Sequence, residues 1–320
     1  MGTQQQINGI RLSHDFIQLG QETDTVKERP LNPLYLTLGS EEINLVLLIL
    51  NLTGGRASFC GLATSGQTRL PSFDGNPDMS CCEPVSTVSV FPHRGRLELL
   101  GTLLSCAGDR LLSLSSSHAM ISLVVRSADS KDLADRLCES LGLPDSKIIV
   151  EQPEDKKELS EFIRRRYPQT RAVYVEDKIK TYGIDIRSNL NLGTLTSDGA
   201  AAMEGLAVQL SDRLDSPLIH ASGSGRVSGR FSLGLVTENP IGIKELDNRA
   251  VDLVSFYGPH YGDRYGIAGR ALECLFDHGI RVWLAGCAGA SVTVAVDKNQ
   301  GKPAGQALSR VFEIPGQGPV

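Results

Sequence analysis

An internal repeat constrains the fold of this chain more than any other feature of its sequence. Residues 88–125 and 251–296 share glycines, arginines and small residues at a constant offset of 171 positions, with no gap between the matched points. The matched pairs are Gly95 with Gly266, Gly108 with Gly279, Arg110 with Arg281, Ala119 with Ala290 and Val125 with Val296. Such self-similarity indicates repeated supersecondary units that bury their apolar faces against one another.

Each copy predicts the element order β-α-β-β-α. In the second copy, alternation predicts strands over 251–256, 280–284 and 291–296, and apolar spacing predicts helices over 267–277 and 304–312. In the first copy the corresponding elements are strands over 87–91, 111–115 and 119–125, and helices over 97–106 and 131–141. We therefore expect an α+β fold of repeated ferredoxin-like βαββα units, each an antiparallel sheet with its helices on one face.

Two weaker units complete the expected organisation. Strands over 179–186, 217–222 and 229–236 and a helix over 198–214 predict a third unit, whereas residues 31–72 show three possible strands (35–38, 43–50 and 57–63) without a clear helix. The predicted domains are an N-terminal segment 1–30, a weak unit 31–85, a unit 86–144, a charged linker 145–175, a unit 176–240 and a unit 241–320.

The glycine pattern of these units resembles the ACT domain, and most closely the tandem ACT pair in the regulatory region of aspartokinases. The matching motif is Gly, seven residues, then Gly-(Ile/Val)-Ala-x-Arg, met here by Gly258, Gly266, Ile267, Ala268 and Arg270. The serine-rich turn before residues 120–125 is a second match. The resemblance covers 250–318 and 86–142, and more loosely 176–238. It implies regulatory material without a kinase domain, because no Lys-(Phe/Tyr)-Gly-Gly motif lies near the N-terminus.

The resemblance also implies a small amino acid bound at an interface between units, near the loop that precedes the first helix. A helix N-terminus at Ile267 exposes unpaired N–H groups that suit a carboxylate. Asp263 could then pair with an ammonium group, and Arg264 or His260 with the carboxylate. The alternative is that the glycines only shape a turn and Asp263 only caps the helix. The predicted ligand-binding residues in this loop are Gly258, His260, Gly262, Asp263, Arg264, Gly266 and Ile267.

The equivalent loop of the first copy, residues 93–96, is basic but lacks the acid. We expect Arg94 to lie near a possible anion, and Ser115, on the strand before the serine-rich turn, to offer a hydroxyl. No catalytic motif was found: Gly-x-Ser-x-Gly, His-Glu-x-x-His and phosphate-loop patterns do not occur. No catalytic residue, cofactor or metal ligand is predicted.

Charge, hydropathy and cysteine content exclude several classes of protein. A net charge of −5 over 320 residues argues against a nucleic-acid binder, and the longest apolar run, 43–52, is too short to span a membrane. Seven cysteines form no regular framework, and the adjacent pair Cys81 and Cys82 has no CxxC partner. We expect a cytoplasmic protein.

These observations predict a free-standing, non-enzymatic regulatory protein that binds a small amino acid. Its expected partners are a second copy or an enzyme, joined by ACT–ACT pairing that protects sheet edges. Two alternatives remain open at this point. The chain could be a separately encoded regulatory subunit of an amino-acid biosynthetic kinase, or an enzyme with its site in a cleft between repeats.

Overall fold

The fold is that of a computed structural model, which describes residues 7–24, 38–39, 43–65, 79–151, 178–197, 200–213, 217–225, 230–258, 266–288 and 291–314. It is a mixed α/β fold with a large, mainly antiparallel sheet and few helices. The helices are α1 (Leu97–Ala107), α2 (Ser130–Leu141), α3 (Ala200–Ser211), α4 (Ile267–Asp277) and α5 (Gly301–Leu308). None of these described helices is long and apolar enough to cross a bilayer.

The described residues also form fifteen strands. They are β1 (Gly9–Asp24), β2 (Leu45–Thr53), β3 (Arg56–Thr64), β4 (Met79–Phe91), β5 (Ser113–Ser116), β6 (Ile121–Arg126), β7 (Ile148–Glu151), β8 (Ile179–Lys180), β9 (Gly183–Ser197), β10 (Leu218–Gly225), β11 (Phe231–Thr237), β12 (Asp247–Tyr257), β13 (Val282–Ala288), β14 (Ser291–Asp297) and β15 (Phe312–Glu313). The order β-α-β-β-α therefore occurs twice, as β4-α1-β5-β6-α2 and as β12-α4-β13-β14-α5.

Thirteen of the strands form one sheet that closes on itself. Their order is β3-β2-β13-β14-β12-β9-β11-β10-β5-β6-β4-β1-β7, and a further pairing of β1 with β3 closes the ring, which leaves β7 outside it. The pairs β5–β10 and β2–β13 join strands from different halves of the chain. These pairings join the two halves of one chain into a continuous sheet.

The ring is flattened into two layers with helices on both outer faces. Helices α1, α2 and α3 cover an apolar core on one side, and α4 and α5 cover a second core on the other. Strand β1 takes part in both, because Ile10 and Leu12 lie in the first core whereas Ile17 and Leu19 lie in the second. The long strands therefore pass from one layer to the other and close the ring.

In each of the two longest strands, β1 and β9, one residue has a left-handed backbone conformation. Asp15 in β1 has φ 65° and Asn189 in β9 has φ 59°, and both lie where the ladder to the neighbouring strand shifts register. Asp and Asn tolerate this conformation better than other non-glycine residues. The buried carboxylate of Asp252 accepts a hydrogen bond from the Asn189 backbone N–H at 3.2 Å, which fixes this conformation in β9.

The repeat in the sequence has a backbone cause. Gly95 and Gly266 have φ of 70° and 78° just before α1 and α4, and Gly108 and Gly279 have φ of 56° and 70° just after them. These are left-handed conformations in which glycine has no steric penalty. The matched glycines therefore recur at a constant offset because they mark the start and the end of the same helix in each copy.

Several predicted elements need correction. The helix predicted over 304–312 begins at Gly301 and ends at Leu308, and Phe312 belongs to β15. The strand predicted over 179–186 is interrupted between β8 and β9. Strands β1 and β7 fall within the stretches predicted as an N-terminal segment and a charged linker. Most of the strand predicted over 35–38 lies outside the described residues.

Two further apolar clusters lie between the two layers, one around Ile49 and Leu62 and one around Leu192 and Leu284, and buried polar side chains lie beside them. Asn51 of β2 is 2% exposed. Its Nδ2 donates to the backbone oxygens of Ser222 and Ser232 at 3.3 Å, and its Oδ1 accepts from Ser222 Oγ at 3.0 Å. Ser58 and Ser224 form a further buried pair at 2.8 Å. Hydrogen bonds, as well as apolar contacts, therefore hold the layers together.

Replacing Asn51 should test that link. Asn51→Ala leaves the buried Ser222 hydroxyl and two carbonyl groups without their partner, so we expect the free energy of unfolding to fall by about 1–3 kcal/mol. Denaturant titration of Asn51→Ala, Ser222→Ala and the double variant measures it. The double variant should lose less than the sum of the two single losses. Strict additivity would show that the two side chains do not act together.

Candidate functional site

The loop predicted as the main ligand site is described only at its ends. Gly258 is buried at the end of β12, Gly266 is the N-cap residue of α4 and Ile267 is the buried first residue of that helix. His260, Gly262, Asp263 and Arg264 lie outside the described residues. The site therefore stays a prediction in the second copy, and the first copy provides the geometry.

In the first copy the corresponding loop is tied to a strand from the other half of the chain. Gly95 O accepts a hydrogen bond from the Leu218 backbone N–H at 2.6 Å. A Cβ at Gly95 would lie 2.9 Å from Leu218 O, so only glycine allows this approach. Because Leu218 begins β10, the loop before α1 lies at the junction where β10 runs past the end of β5.

His93 fixes the shape of this loop. Its Nδ1 accepts from the Gly95 N–H at 3.0 Å, and its Nε2 lies 2.8 Å from Ser117 O. Those two bonds require a neutral ring with the proton on Nε2. The ring is buried, and desolvation lowers the pKa of His93, which favours the same neutral state.

A second buried histidine lies on the β10 side of the junction. His220 Nδ1 is 3.4 Å from Ser116 Oγ, which also accepts from the Ala221 N–H at 2.7 Å. Burial lowers the pKa of His220 to about 4, and the neighbouring His93 contributes in the same direction. Both rings are therefore uncharged near neutral pH, and neither repels a cation or attracts an anion strongly.

Ser115, a predicted site residue, is fully buried between the layers. Its Oγ and His220 Nε2 are buried without hydrogen-bond partners among the described residues, and both face Gly286 of β13. A Cβ at Gly286 would lie 2.6 Å from His220 Nε2 and 3.4 Å from Ser115 Oγ. This packing leaves no room for a side chain at position 286, so Ser115 belongs to the interlayer contact.

The positive groups of the loop lie at the start of α1. Arg94 is exposed, with φ 49°, whereas Arg96 Nε contacts Glu98 Oε1 at 2.6 Å. Arg96, the N-cap residue of α1, makes no capping hydrogen bond with its side chain, so it leaves the first N–H groups of the helix to another acceptor. Uncapped N–H groups beside an exposed guanidinium form an arrangement that can hold a carboxylate.

The structure therefore separates the predicted site residues into three places. Arg94 is exposed at the loop, Ser115 is buried between the layers, and Gly258, Gly266 and Ile267 lie in the layer covered by α4 and α5. Sequence reasoning missed the anchoring roles of His93 and His220. His220 does carry a signal, because it is the one ring in a strand of aliphatic, serine and glycine residues.

No group of three or more His, Cys, Asp or Glu side chains that could hold a metal ion occurs in the described part of the chain. The cysteines there are free, and Cys60 and Cys287 are buried. Burial raises the pKa of each of these two thiols to about 12, so both are protonated at neutral pH.

Comparison with known proteins first defines the fold class. No protein-family model matches the chain, and no curated protein matches its sequence significantly. Aspartate kinase from Synechocystis superimposes with a TM-score of 0.71 at 11% identity, which shows a shared fold. The match covers 98% of this chain and 57% of the aspartate kinase, so the chain spans little more than half the length of that enzyme.

Two further structures share short stretches with the chain. The regulatory subunit of aspartate kinase from Thermus thermophilus matches 42% of this chain and 99% of its own, with a TM-score of 0.37 and 11% identity. Clostridium acetobutylicum aspartate kinase matches 44% of this chain and 37% of its own, with a TM-score of 0.35 and 15% identity. Neither score is high enough to establish a common fold.

The Synechocystis match corrects the interpretation made from the sequence. The resemblance was expected to be limited to tandem regulatory units without a kinase, but the match to an aspartate kinase runs through 98% of the chain. The expectation of a purely regulatory protein that is not an enzyme is contradicted by the same finding, because the structural neighbour is an enzyme.

Proposed function

We propose that this chain acts in an aspartate-kinase-type enzyme, and that it binds a small amino acid at the loops that precede α1 and α4. The fold shared with an aspartate kinase over 98% of the chain supports the enzyme class. That structure is named an aspartate kinase, which supports an amino acid as the kind of ligand that this chain binds. The chain spans 57% of that enzyme, so the complete activity is part of the proposal.

The repeated segments are, in this proposal, ACT-like units. The recurring order β-α-β-β-α and the left-handed glycines on both sides of α1 and α4 support this assignment. The units would extend over 86–144 and 241–320, with more divergent units over 31–85 and 176–240. Each strong unit would then pair with a divergent one, through β5–β10 and β2–β13.

The junction before α1 is the observation that carries the binding proposal. There an uncapped helix N-terminus, an exposed Arg94 and a loop held by His93 meet the first residues of a strand from another unit. A carboxylate would accept hydrogen bonds from the helix N–H groups and from the Arg94 guanidinium. The loop is ordered by its own contacts before any ligand arrives, which lowers the entropic cost of binding.

In the second copy the same logic assigns the ligand's two charges. The N-terminus of α4 at Ile267 and Arg264 or His260 would take the carboxylate, and Asp263 would take the ammonium group. Because the first copy has no acid at the matching position, we expect the second copy to bind an amino acid more tightly. Gly258, Gly262 and Gly266 would let the backbone approach the ligand closely.

Binding of L-aspartate to the full chain tests the proposal. Titration calorimetry should show Arg94→Asn weakening the first-copy site about ten- to a hundred-fold, since losing a charge-assisted hydrogen bond costs about 1.5–3 kcal/mol. Asn suits this position because it tolerates a positive φ. Arg126→Asn, at the end of β6, removes a matched exposed charge elsewhere and should leave the affinity unchanged.

A second assay addresses the enzyme class. The same preparation is assayed for ADP formation from ATP, with and without aspartate. The change in ADP formation that aspartate causes should be smaller in Asp263→Asn than in the wild type. If the wild-type chain neither binds any amino acid nor shows aspartate-dependent turnover, the proposal is wrong. Equal affinity in wild type, Arg94→Asn and Asp263→Asn would move the site elsewhere.

A further inference from the structure

Three hydrogen-bonded side chains form a relay at the start of α2, outside the loops proposed to bind an amino acid. Ser127 Oγ lies 2.8 Å from Ser86 Oγ, and Ser86 Oγ lies 2.8 Å from His14 Nδ1. Ser86 is fully buried, whereas His14 and Ser127 are each half-buried. A partly exposed serine is therefore connected to a partly exposed imidazole through one buried hydroxyl.

The second copy shows that the fold does not require this relay. Ser86 lies opposite Val125 in the ladder between β4 and β6. Asp252 lies opposite Val296, the residue that matches Val125 in the repeat, so Ser86 and Asp252 occupy equivalent positions. The Asp252 carboxylate accepts a hydrogen bond from the Gly301 N–H at 3.0 Å, at the start of α5. In the first copy a hydroxyl replaces that carboxylate and bonds to two side chains instead.

The hydrogen bonds of the relay give the Ser127 proton a path to the imidazole. With the ring proton on Nε2, His14 Nδ1 accepts from the Ser86 hydroxyl, and Ser86 accepts from the Ser127 hydroxyl. Both distances are those over which a base activates a serine nucleophile. Ser127 also opens the helical turn Ser127–Asp129 that leads into α2. The first N–H groups of such a segment have no partner within it, so they can stabilise an oxyanion.

We propose that Ser127 is an activated nucleophile that takes the acyl group of a small activated carboxylic ester. Ser127 Oγ attacks the carbonyl carbon, its proton passes to Ser86 Oγ, and the proton of Ser86 passes to His14 Nδ1. The bond between the carbonyl carbon and the leaving oxygen then breaks, which leaves an acyl ester on Ser127 and an imidazolium at His14. The imidazolium returns its proton to the leaving group or to water. The transfer needs no further reactant.

Acetylation of the wild-type full chain by p-nitrophenyl acetate tests the proposal. The readout is the acetylated fraction of the peptide that contains Ser127, followed over time by mass spectrometry, because lysines also react with this ester. Ser309 is the internal control: it is also half-buried, but its hydroxyl donates to Gln306 O at 2.7 Å instead of to a base. Ser127 should react at least about tenfold faster than Ser309, since a general base contributes about 10²–10⁴-fold. Equal rates would overturn the proposal.

Two variants test the relay itself. Ser86→Ala removes the middle hydroxyl and His14→Ala removes the base, so each should slow acetylation of Ser127 at least about tenfold while Ser309 keeps its wild-type rate. Imidazole added to His14→Ala should restore the rate at Ser127, which a purely structural role of His14 would not allow. A wild-type rate in Ser86→Ala, or no restoration by imidazole, would overturn the proposal. The result does not depend on whether the chain binds an amino acid.

Discussion

Gly101→Ala is expected to lower the free energy of unfolding by about 2–3 kcal/mol, although it adds a single methyl group to a helix. Gly101 lies in α1, where the helix crosses α3. A Cβ there would come within 2.6 Å of the Ser211 backbone N and 2.7 Å of Ala207 O. Backbone atoms cannot turn aside as a side chain can, so the two helices would have to separate and loosen the core beneath them.

The matched control is Gly205→Ala. Gly205 lies in α3, is exposed, and has no neighbouring atom within 4 Å of the place that an added methyl group would take. Alanine at an open helical site should therefore stabilise the fold by about 0.5–1 kcal/mol. Urea titration of both variants gives the comparison. Stabilisation of similar size in both would show that α1 and α3 are not packed this closely.

Acid should destabilise the fold through His220. The unfolded ring takes up a proton near pH 6.5, whereas the folded ring stays neutral until about pH 4. Between these values unfolding binds a proton, so the free energy of unfolding falls as the pH falls. The loss over the whole window is about 3 kcal/mol. His93, whose pKa is also lowered, adds to the same trend.

His220→Asn separates this effect from general acid sensitivity. The variant will have its own stability at pH 7, but its dependence on pH between 6.5 and 4 should be clearly flatter than that of the wild type. Thermal unfolding at half-unit intervals of pH measures both slopes. Parallel slopes would mean that His220 is already protonated in the fold, or that it is exposed.

The helices and the short strands around them were predictable because their signals are local. Gly95 and Gly108, with their counterparts Gly266 and Gly279, fix where α1 and α4 begin and end. Apolar residues on one face fix which side is buried. These features depend on neighbours within one or two turns, so one sequence is enough to find them.

Closure of the sheet could not be predicted in this way. Strand β1 contacts the first core through Ile10 and Leu12 and the second through Ile17 and Leu19, so its apolar pattern changes face at Asp15. A strand that changes face has no single alternation. The surface between the layers adds to the difficulty. Asn51 and Ser222 are polar residues that the sequence alone would place at the protein surface, but a long-range hydrogen bond joins them in the interior.

The loops before α1 and α4 were predictable from the sequence, whereas the long-range contacts around the first of them were not. The glycine before each helix identified the loops, and Arg94 was assigned from the helix-terminus argument alone. The contribution of His220 depends on β10 running alongside β5, a contact between residues more than a hundred positions apart, whereas His93 bonds to Gly95 and Ser117 within its own repeat. Nothing in the local sequence of β10 indicates which strand lies beside it.

Amide NMR of the full chain during titration with L-aspartate tests the central claim most directly. Binding before α1 should shift the backbone signals of residues 94–98 and of Leu218 at the start of β10, with a parallel set before α4 at Gly266 and Ile267. Arg94→Asn should reduce the first set and leave the second. Shifts confined to other parts of the chain, or none at saturating aspartate, would contradict an amino-acid site at these junctions.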